Sequence, residues 1–352
     1  MDHNRKAFLK TLLTTPAPSG YEQPAATVWR DEAATFADEV DRDVLGNSYA
    51  WLRHGGGPVV VIEGHIDEIG FLVTYVDDDG FIWFDRIGGW DDQIVVGQRV
   101  VIATANGAVR GVIGKKAAHL LAPEDRSKVT KLADLWIDIG SGEKDQTLAR
   151  VAIGDPIVLD VPPLELSDDL WASRSIDNRV GAFVALEALR LLKDAARQCS
   201  IVAVAATHEE ITMSGALNMA FHVRPAVGIA IDVTHATDYP GAAKKADNDI
   251  KIGGGPVLTR GSSINPHVFS GLQTAGARLG ITTPVQAAGR SSGTDADAMM
   301  RSGAGIATGL VSIPNRYMHS PNEIISLRDL EEAARVIAGF VTTITAESDF
   351  RP

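Results

Sequence analysis

The chain has 352 residues, 45% of them hydrophobic and 22% charged, with a formal net charge of -12. That length and composition belong to an ordinary globular protein with room for a sizeable core and two domains. The acidic balance excludes nucleic acid and anionic membrane as main partners, since both need clustered lysine and arginine. Carboxylate excess instead leaves metal cations and cationic groups as ligands. Cys199 is the only cysteine, so an internal disulfide and a thiolate metal cluster are both excluded. The first residues lack the apolar core of a secretion signal, and no later apolar run approaches membrane-spanning length, so a cytoplasmic location is expected.

Phe8, Leu9, Leu12 and Leu13 share one helical face, which the turn residues from Pro16 to Gly20 bring to an end. A second helix is expected over 23–34, then a turn at Asn47 between extended segments, then a buried strand from Pro58 to Glu63 ending at Gly64 and His65. After Asp67 the texture changes to short alternating runs: Phe81 to Phe84, Val95 to Thr104, Ala108 to Ile113, Leu135 to Ile139 and Pro156 to Asp160. Asn106-Gly107 is a two-residue hairpin signal between two of them. Pro162-Pro163 closes this β-rich stretch, after which strand and helix alternate again. Val180, Phe183, Val184 and Leu191 line a helix face, the runs from Ile201 to Ala206 and Val227 to Ile231 are buried strands, and Leu330 to Val341 forms a final helix. Ser326 to Asp329 has capping-box spacing for that helix. The expected architecture is an α/β domain, residues 1–69 and 162–352, split by an inserted β-rich domain over 70–161.

Five places in the α/β portion set acidic or imidazole side chains at the end of an apolar run or beside a turn, where open α/β sheets build sites. They are His65 with Asp67, Asp177, Glu209-Glu210, Asp232 and His319. Each has a bland alternative: a hydrogen-bonded core histidine, a helix-start carboxylate, a solvated turn or a loop cap. Alternation puts His65 and Asp67 on one side of an extended chain, so Asp67 can accept the proton of a metal-bound imidazole. With Asp67 set aside as the imidazole's partner, two histidines, two aspartates and two glutamates without cysteine suit zinc, cobalt or manganese, and a bridging carboxylate can hold two such ions roughly 3.5 to 4 Å apart. Adjacent glutamates repel each other away from water unless one shifts its pKa or meets a cation. With one glutamate neutralised by metal, the other is free to move a proton.

Gly64-His-Ile-Asp-Glu-Ile-Gly70, Asp177-Asn-Arg179, Glu209-Glu210, Asp232-Val233 and Arg316-Tyr-Met-His-Ser-Pro321 occur in the order and spacing of the tetrahedral, or deblocking, aminopeptidases. Gly111 to Lys116 and Asp138 to Gly140 are similar to the same family, so the resemblance covers nearly the whole chain. This is metallopeptidase family 42, which includes glutamyl aminopeptidases and proteins once labelled endoglucanases. The resemblance implies a mixed-sheet metallopeptidase domain with helices on both faces and an inserted small β-barrel-like domain used for dimerisation and assembly. It implies two divalent ions per subunit, zinc or cobalt, held by His65, Asp177 and Asp232 and by Asp177, Glu210 and His319, with Asp177 bridging. By the same resemblance Glu209 is the general base for a two-metal-activated hydroxide, and Asp67 orients His65. Short peptides are the implied substrates, and a dimer-based homo-oligomer, dodecameric in the family, the implied assembly.

His208, before the paired glutamates, and Ile211 to Ser214, after them, depart from that pattern. They bear on substrate preference or assembly, since the implied ligands are intact. His208 is expected to be structural rather than a ligand, and Asp295 either contacts the site or caps the helix that follows. His119, His235 and His267 take no role. The competing functions are an N-acyl-amino-acid deacylase or carboxypeptidase of a related fold, and a non-catalytic assembly of the same fold; the retained Glu209 speaks against the last.

Overall fold

The computed structural model describes residues 1–352, apart from the side chain of Asp247. Its apolar runs pair into an eight-stranded mixed sheet with spatial order Glu39–Arg42, Ser48–Leu52, Ser200–Ala206, Val59–His65, Val227–His235, Ala307–Asn315, Val257–Gly261, Val285–Ala288. The four central strands, Ser200–Ala206 to Ala307–Asn315, run parallel. Their near-continuous Val, Ile and Ala content follows from burial on both faces.

Register identifies those faces. A Cβ on Gly228 would fall 2.9 Å from Met299 of the Asp295–Met300 helix, whereas one on Gly309, the partner of Ile229, would fall 2.6 Å from Val268 of the Pro266–Leu279 helix. Paired residues share a face and successive residues alternate, so these two helices cover opposite faces. The long helix Ile176–Leu192 lies on the Pro266–Leu279 side, because Gly64 approaches it so closely that a Cβ would meet the Gly181 backbone at 2.3 Å. Only glycine permits that strand-to-helix approach. The terminal helix Leu327–Val341 packs against both of these helices.

Between Gly70 and Leu159 a second apolar core lies inside a closed barrel of six antiparallel strands, Gly70–Val76, Ile82–Ile87, Trp136–Asp138, Gly107–Gly114, Arg99–Thr104 and Pro156–Leu159. Phe71 stacks on Trp90 at 4.9 Å, and the Trp90 indole donates to the Gly70 carbonyl at 3.0 Å. A small sheet, Leu164–Glu165, Leu170–Ser173 and Glu323–Ser326, leads the chain back toward the sheet domain.

Four local expectations need correction. The hairpin turns at Ala105-Asn106, one residue early, because Gly107 already pairs with Thr104. Val95 closes a short helical turn, Asp92–Val95, capped by the Asp91 carboxylate, so the strand begins only at Arg99. Leu191 is 51% exposed, since its helix is buried on nearly all sides up to Leu189 and only its last turn emerges. Half of the capping box forms: Ser326 accepts from Asp329 N–H, while the Asp329 carboxylate turns to the N–H groups of Gly253 and Gly255.

One buried ionic knot fixes the first helix to the sheet. Arg179, fully buried, reaches Glu68 at 3.0 Å and donates to the carbonyls of Leu12, Thr15 and Ile66, while Arg174 also pairs with Glu68. Removing Arg179 leaves buried carbonyls without their donor and takes from Glu68 one of its two cationic partners. Arg179→Met is therefore expected to cost roughly 3–5 kcal/mol, read as a lower midpoint in denaturant unfolding.

Candidate metal centre

The carboxyl ends of the four parallel strands deliver most of the site. His65 is the last residue of Val59–His65. Glu63 is the register partner of Ala230, so two residues further along Asp232 faces the same side as His65. Glu209 and Glu210 open the short helical turn Glu209–Thr212 after Ser200–Ala206, entered through His208 at φ 62°. His319, at φ 60°, sits on the loop beyond Ala307–Asn315. Asp177 comes from the start of the Ile176–Leu192 helix.

These side chains converge. Asp177 presents one oxygen to His65 Nε2 at 3.2 Å and the other to His319 Nε2 at 3.3 Å. Glu210 lies 3.4 Å from His319 Nε2, while Glu209 and Asp232 lie 3.7 and 3.9 Å from His65 Nε2. Asp67, fully buried, sits 3.3 Å from His65 Nδ1. Its oxygens also accept the N–H groups of Glu209 and Glu210 at 3.2 and 3.1 Å, and it accepts from the Ser19 hydroxyl. One carboxylate thus holds both the imidazole and the glutamate turn. Asp67→Asn is expected to lower metal affinity roughly 10- to 100-fold without unfolding the chain, measured by calorimetric titration of metal into the stripped protein.

The electrostatics are those of a site short of positive charge. Burial, reinforced by Asp177, pushes Glu210 well above the usual carboxylate range. Burial likewise raises Asp232 to about 7 and Glu209 to about 10. Asp177 moves the other way: burial would raise it, but hydrogen bonds with His319 and His65 hold it well below its ordinary value. Burial would depress His65, yet Glu209, Asp177 and Asp67 raise it well above an ordinary imidazole.

The comparisons with known proteins bear on the whole chain. The model of the M42 glutamyl aminopeptidase family matches residues 46–336. The chain belongs to that family. It is 30% identical to the lysyl aminopeptidase of Pyrococcus furiosus over 98% of this chain and 99% of that protein. Its fold is similar to the TET aminopeptidase of a marine sediment thaumarchaeon, with TM-score 0.93, 30% identity and 98% and 97% of the two chains covered. It is similar also to the Pyrococcus horikoshii TET1 peptidase, which can assemble into a tetrahedron or a large octahedral shell, with TM-score 0.85, 29% identity and coverage of 96% and 99%. This M42 member is therefore a peptide-bond hydrolase, a metallo-aminopeptidase by family.

The residues of this M42 chain fit divalent metal on their own terms. Ligand atoms of His65, Glu209 and Asp232 lie within 4.8 Å of one another, as do those of His65, Asp177 and Glu210. One oxygen of Glu210 is buried without a hydrogen-bond partner. Four buried or half-buried carboxylates faced by two imidazoles need cationic charge, and this nitrogen and oxygen donor set supplies hard and borderline ligands. The grouping puts Glu209 beside His65 and Asp232, where Asp177 is the ligand expected from the family pattern.

Other residues take places that sequence reasoning left open or missed. His208 faces Glu22, with Nδ1 at 3.6 Å, rather than the metal cluster. Asp295 neither caps its helix, a role taken by Thr294, nor lines the cavity; it is buried beside Glu63, which register turns to the same face. Burial holds Glu63 protonated up to about 8. Glu323 accepts the N–H groups of Asp177 and His319 at 3.0 Å each, fixing two segments of the candidate site at once. The Asn178 amide donates to the Ile231 carbonyl at 2.8 Å, next to Asp232. The barrel contributes Gly89, where a Cβ would stand 3.3 Å from His319 Nδ1. His119 and His267 are exposed away from the cavity, whereas His235 is exposed at its rim.

Proposed function

We propose that this chain removes N-terminal residues from short peptides, with two divalent ions, zinc or cobalt by donor chemistry, held by His65, Asp177 and Asp232 and by Asp177, Glu210 and His319. The observation that carries this reading is Asp177, whose two oxygens each face a different histidine at 3.2 and 3.3 Å, the posture of a bridging ligand. Ions bound there would lower the pKa of a shared water and polarise the scissile carbonyl. Glu209 lines the cavity beside them and is the residue placed to take a proton from water and pass it to the departing amine. Its carboxyl, held protonated by burial in the chain alone, becomes a base once cationic charge enters the site. Asp67 and Glu323 keep the ligand-bearing segments in place.

Residues 1–69 and 162–352 form the catalytic domain in this reading, and residues 70–161 the domain through which copies assemble. The barrel segment exposes Leu120 and Val129 at 69% and 60%, apolar surface that a neighbouring subunit would cover. The dodecamer and the tetrahedral or octahedral shells of the TET1 peptidase support a homo-oligomer. In this reading it is built from dimers, is dodecameric and acts in the cytoplasm. Among the described residues no helix is long and apolar enough to cross a membrane. A panel of free-amine peptides, N-acylated amino acids and peptides cleavable only from the carboxyl end tests the activity. Cleavage confined to acylated amino acids would replace the aminopeptidase with a deacylase, and light scattering measures the assembly.

A further inference from the structure

The cavity beside the ligand cluster has a volume of about 570 Å³ and holds a side chain as well as a reacting bond. Among the described residues lining it there is no lysine or arginine, and its only carboxylates are Asp177, Glu209, Glu210 and Asp232. Those four are committed to the ligand cluster and its proton chemistry, so none is left over as a partner for a substrate cation. The remaining wall is neutral. Met213, Val233, Leu310 and Met318 supply apolar surface, and Thr234 donates to Gln286 at 2.7 Å to make a neutral polar patch. His235 is exposed at the rim, where solvent screens any partner it could offer. Arg290 is exposed and does not line the cavity, and Arg316 is spent on a bidentate pair with Asp238 at 2.7 and 2.6 Å.

We infer that this cavity selects peptides whose first side chain is uncharged, apolar or amide, and rejects both acidic and basic first residues. This deepens the proposed aminopeptidase reading and rests on it. The physical reason is desolvation: an ionised side chain entering the cavity gives up water and finds no opposite charge, whereas leucine or methionine gives up little and a glutamine amide meets neutral hydrogen-bonding groups at Thr234 and Gln286. The two methionines offer adaptable, polarisable contact for unbranched side chains. The chain thereby departs from the charged first residues in the names of its relatives, lysyl in one case and glutamyl in the family description.

The test is a set of tripeptides with a common Ala-Ala tail and leucine, methionine, glutamine, glutamate or lysine first, assayed with the metal-loaded full chain. The neutral three are expected to exceed both charged ones by roughly 100-fold in kcat/KM. The same order is expected in equilibrium binding of these peptides to Glu209→Gln, which reads selectivity without turnover. Gln286→Arg is expected to raise the glutamate-to-leucine ratio by roughly 10-fold or more, because it places a cation on the neutral wall. Glutamate or lysine peptides cleaved as fast as leucine would overturn the inference while leaving the aminopeptidase intact. An unchanged ratio in a folded Gln286→Arg variant would also overturn it, by removing that wall from the side-chain subsite. Cleavage of no free-amine peptide at all would overturn the aminopeptidase reading and this inference together.

Discussion

Glu209→Gln is expected to keep its metal ions and its fold while kcat and kcat/KM fall together by roughly 10²- to 10⁴-fold, the usual weight of a positioned general base. The substitution keeps shape and hydrogen-bonding capacity but removes the oxygen that carries the proton. Asp67 still accepts the backbone N–H of residue 209, so the turn that positions Glu210 is unchanged. Metal analysis of the purified variant makes the result decisive, because Glu209 stands 3.7 Å from His65 Nε2, in a grouping with Asp232 that could also hold an ion. Two ions retained with turnover lost assigns Glu209 to proton transfer. One ion lost assigns it to the metal shell, and the base must then be sought elsewhere in the cavity. A true base also removes the acidic limb of the pH profile of kcat/KM, which loss of a ligand need not do.

Most of the candidate cluster was legible because its acidic and imidazole residues follow apolar runs whose burial the sequence announces. Ser200–Ala206 is, after its serine, a run of small and branched apolar residues, as a doubly covered parallel strand must be, and the carboxylates shortly after it fall where open α/β sheets build sites. His65 and Asp232 follow the same logic. Asp177 was ambiguous, since a carboxylate opening a helix is ordinary; only its two contacts, made to histidines from strand ends far apart in sequence, set it apart. What stayed hidden depends on register and topology. Glu63 looked like part of a strand, and nothing local says that alternation turns it toward Asp295. Glu323 belongs to a four-residue strand in a minor sheet, yet its carboxylate joins the Asp177 and His319 backbones. Gly89 lies in the barrel segment and meets His319 only because the barrel is packed beside the sheet's site. Leu191 failed for a simpler reason: a helix buried on nearly all sides has no single apolar face to extrapolate.

Stripping the ions with a chelator is expected to abolish turnover and to make the stability of the chain fall steadily as pH rises between about 5 and 9. In the folded chain alone burial holds Asp232 protonated to about 7, Glu63 to about 8 and Glu209 to about 10, whereas unfolded carboxyls release their protons near pH 4. Across that interval the native state binds more protons than the unfolded one, so stability declines by about 1.4 kcal/mol per pH unit for each proton held in excess. His65 acts in the same direction: raised above an ordinary imidazole, its contribution is complete below about pH 6.5 and is lost as pH climbs through the folded value. Asp67 and Asp177 are held below the ordinary range, so their contribution is present above about pH 4 and lost only in acid. Nothing opposes the decline in the neutral range among these groups. Bound divalent charge takes the place of the excess protons, and because ligands must be deprotonated to bind it, the stabilisation it brings grows with pH. Thermal midpoints of stripped and zinc-loaded protein should therefore diverge as pH rises. Parallel curves would show that the carboxylates around His65 are not neutralised by metal, and would remove the electrostatic argument for a dinuclear site.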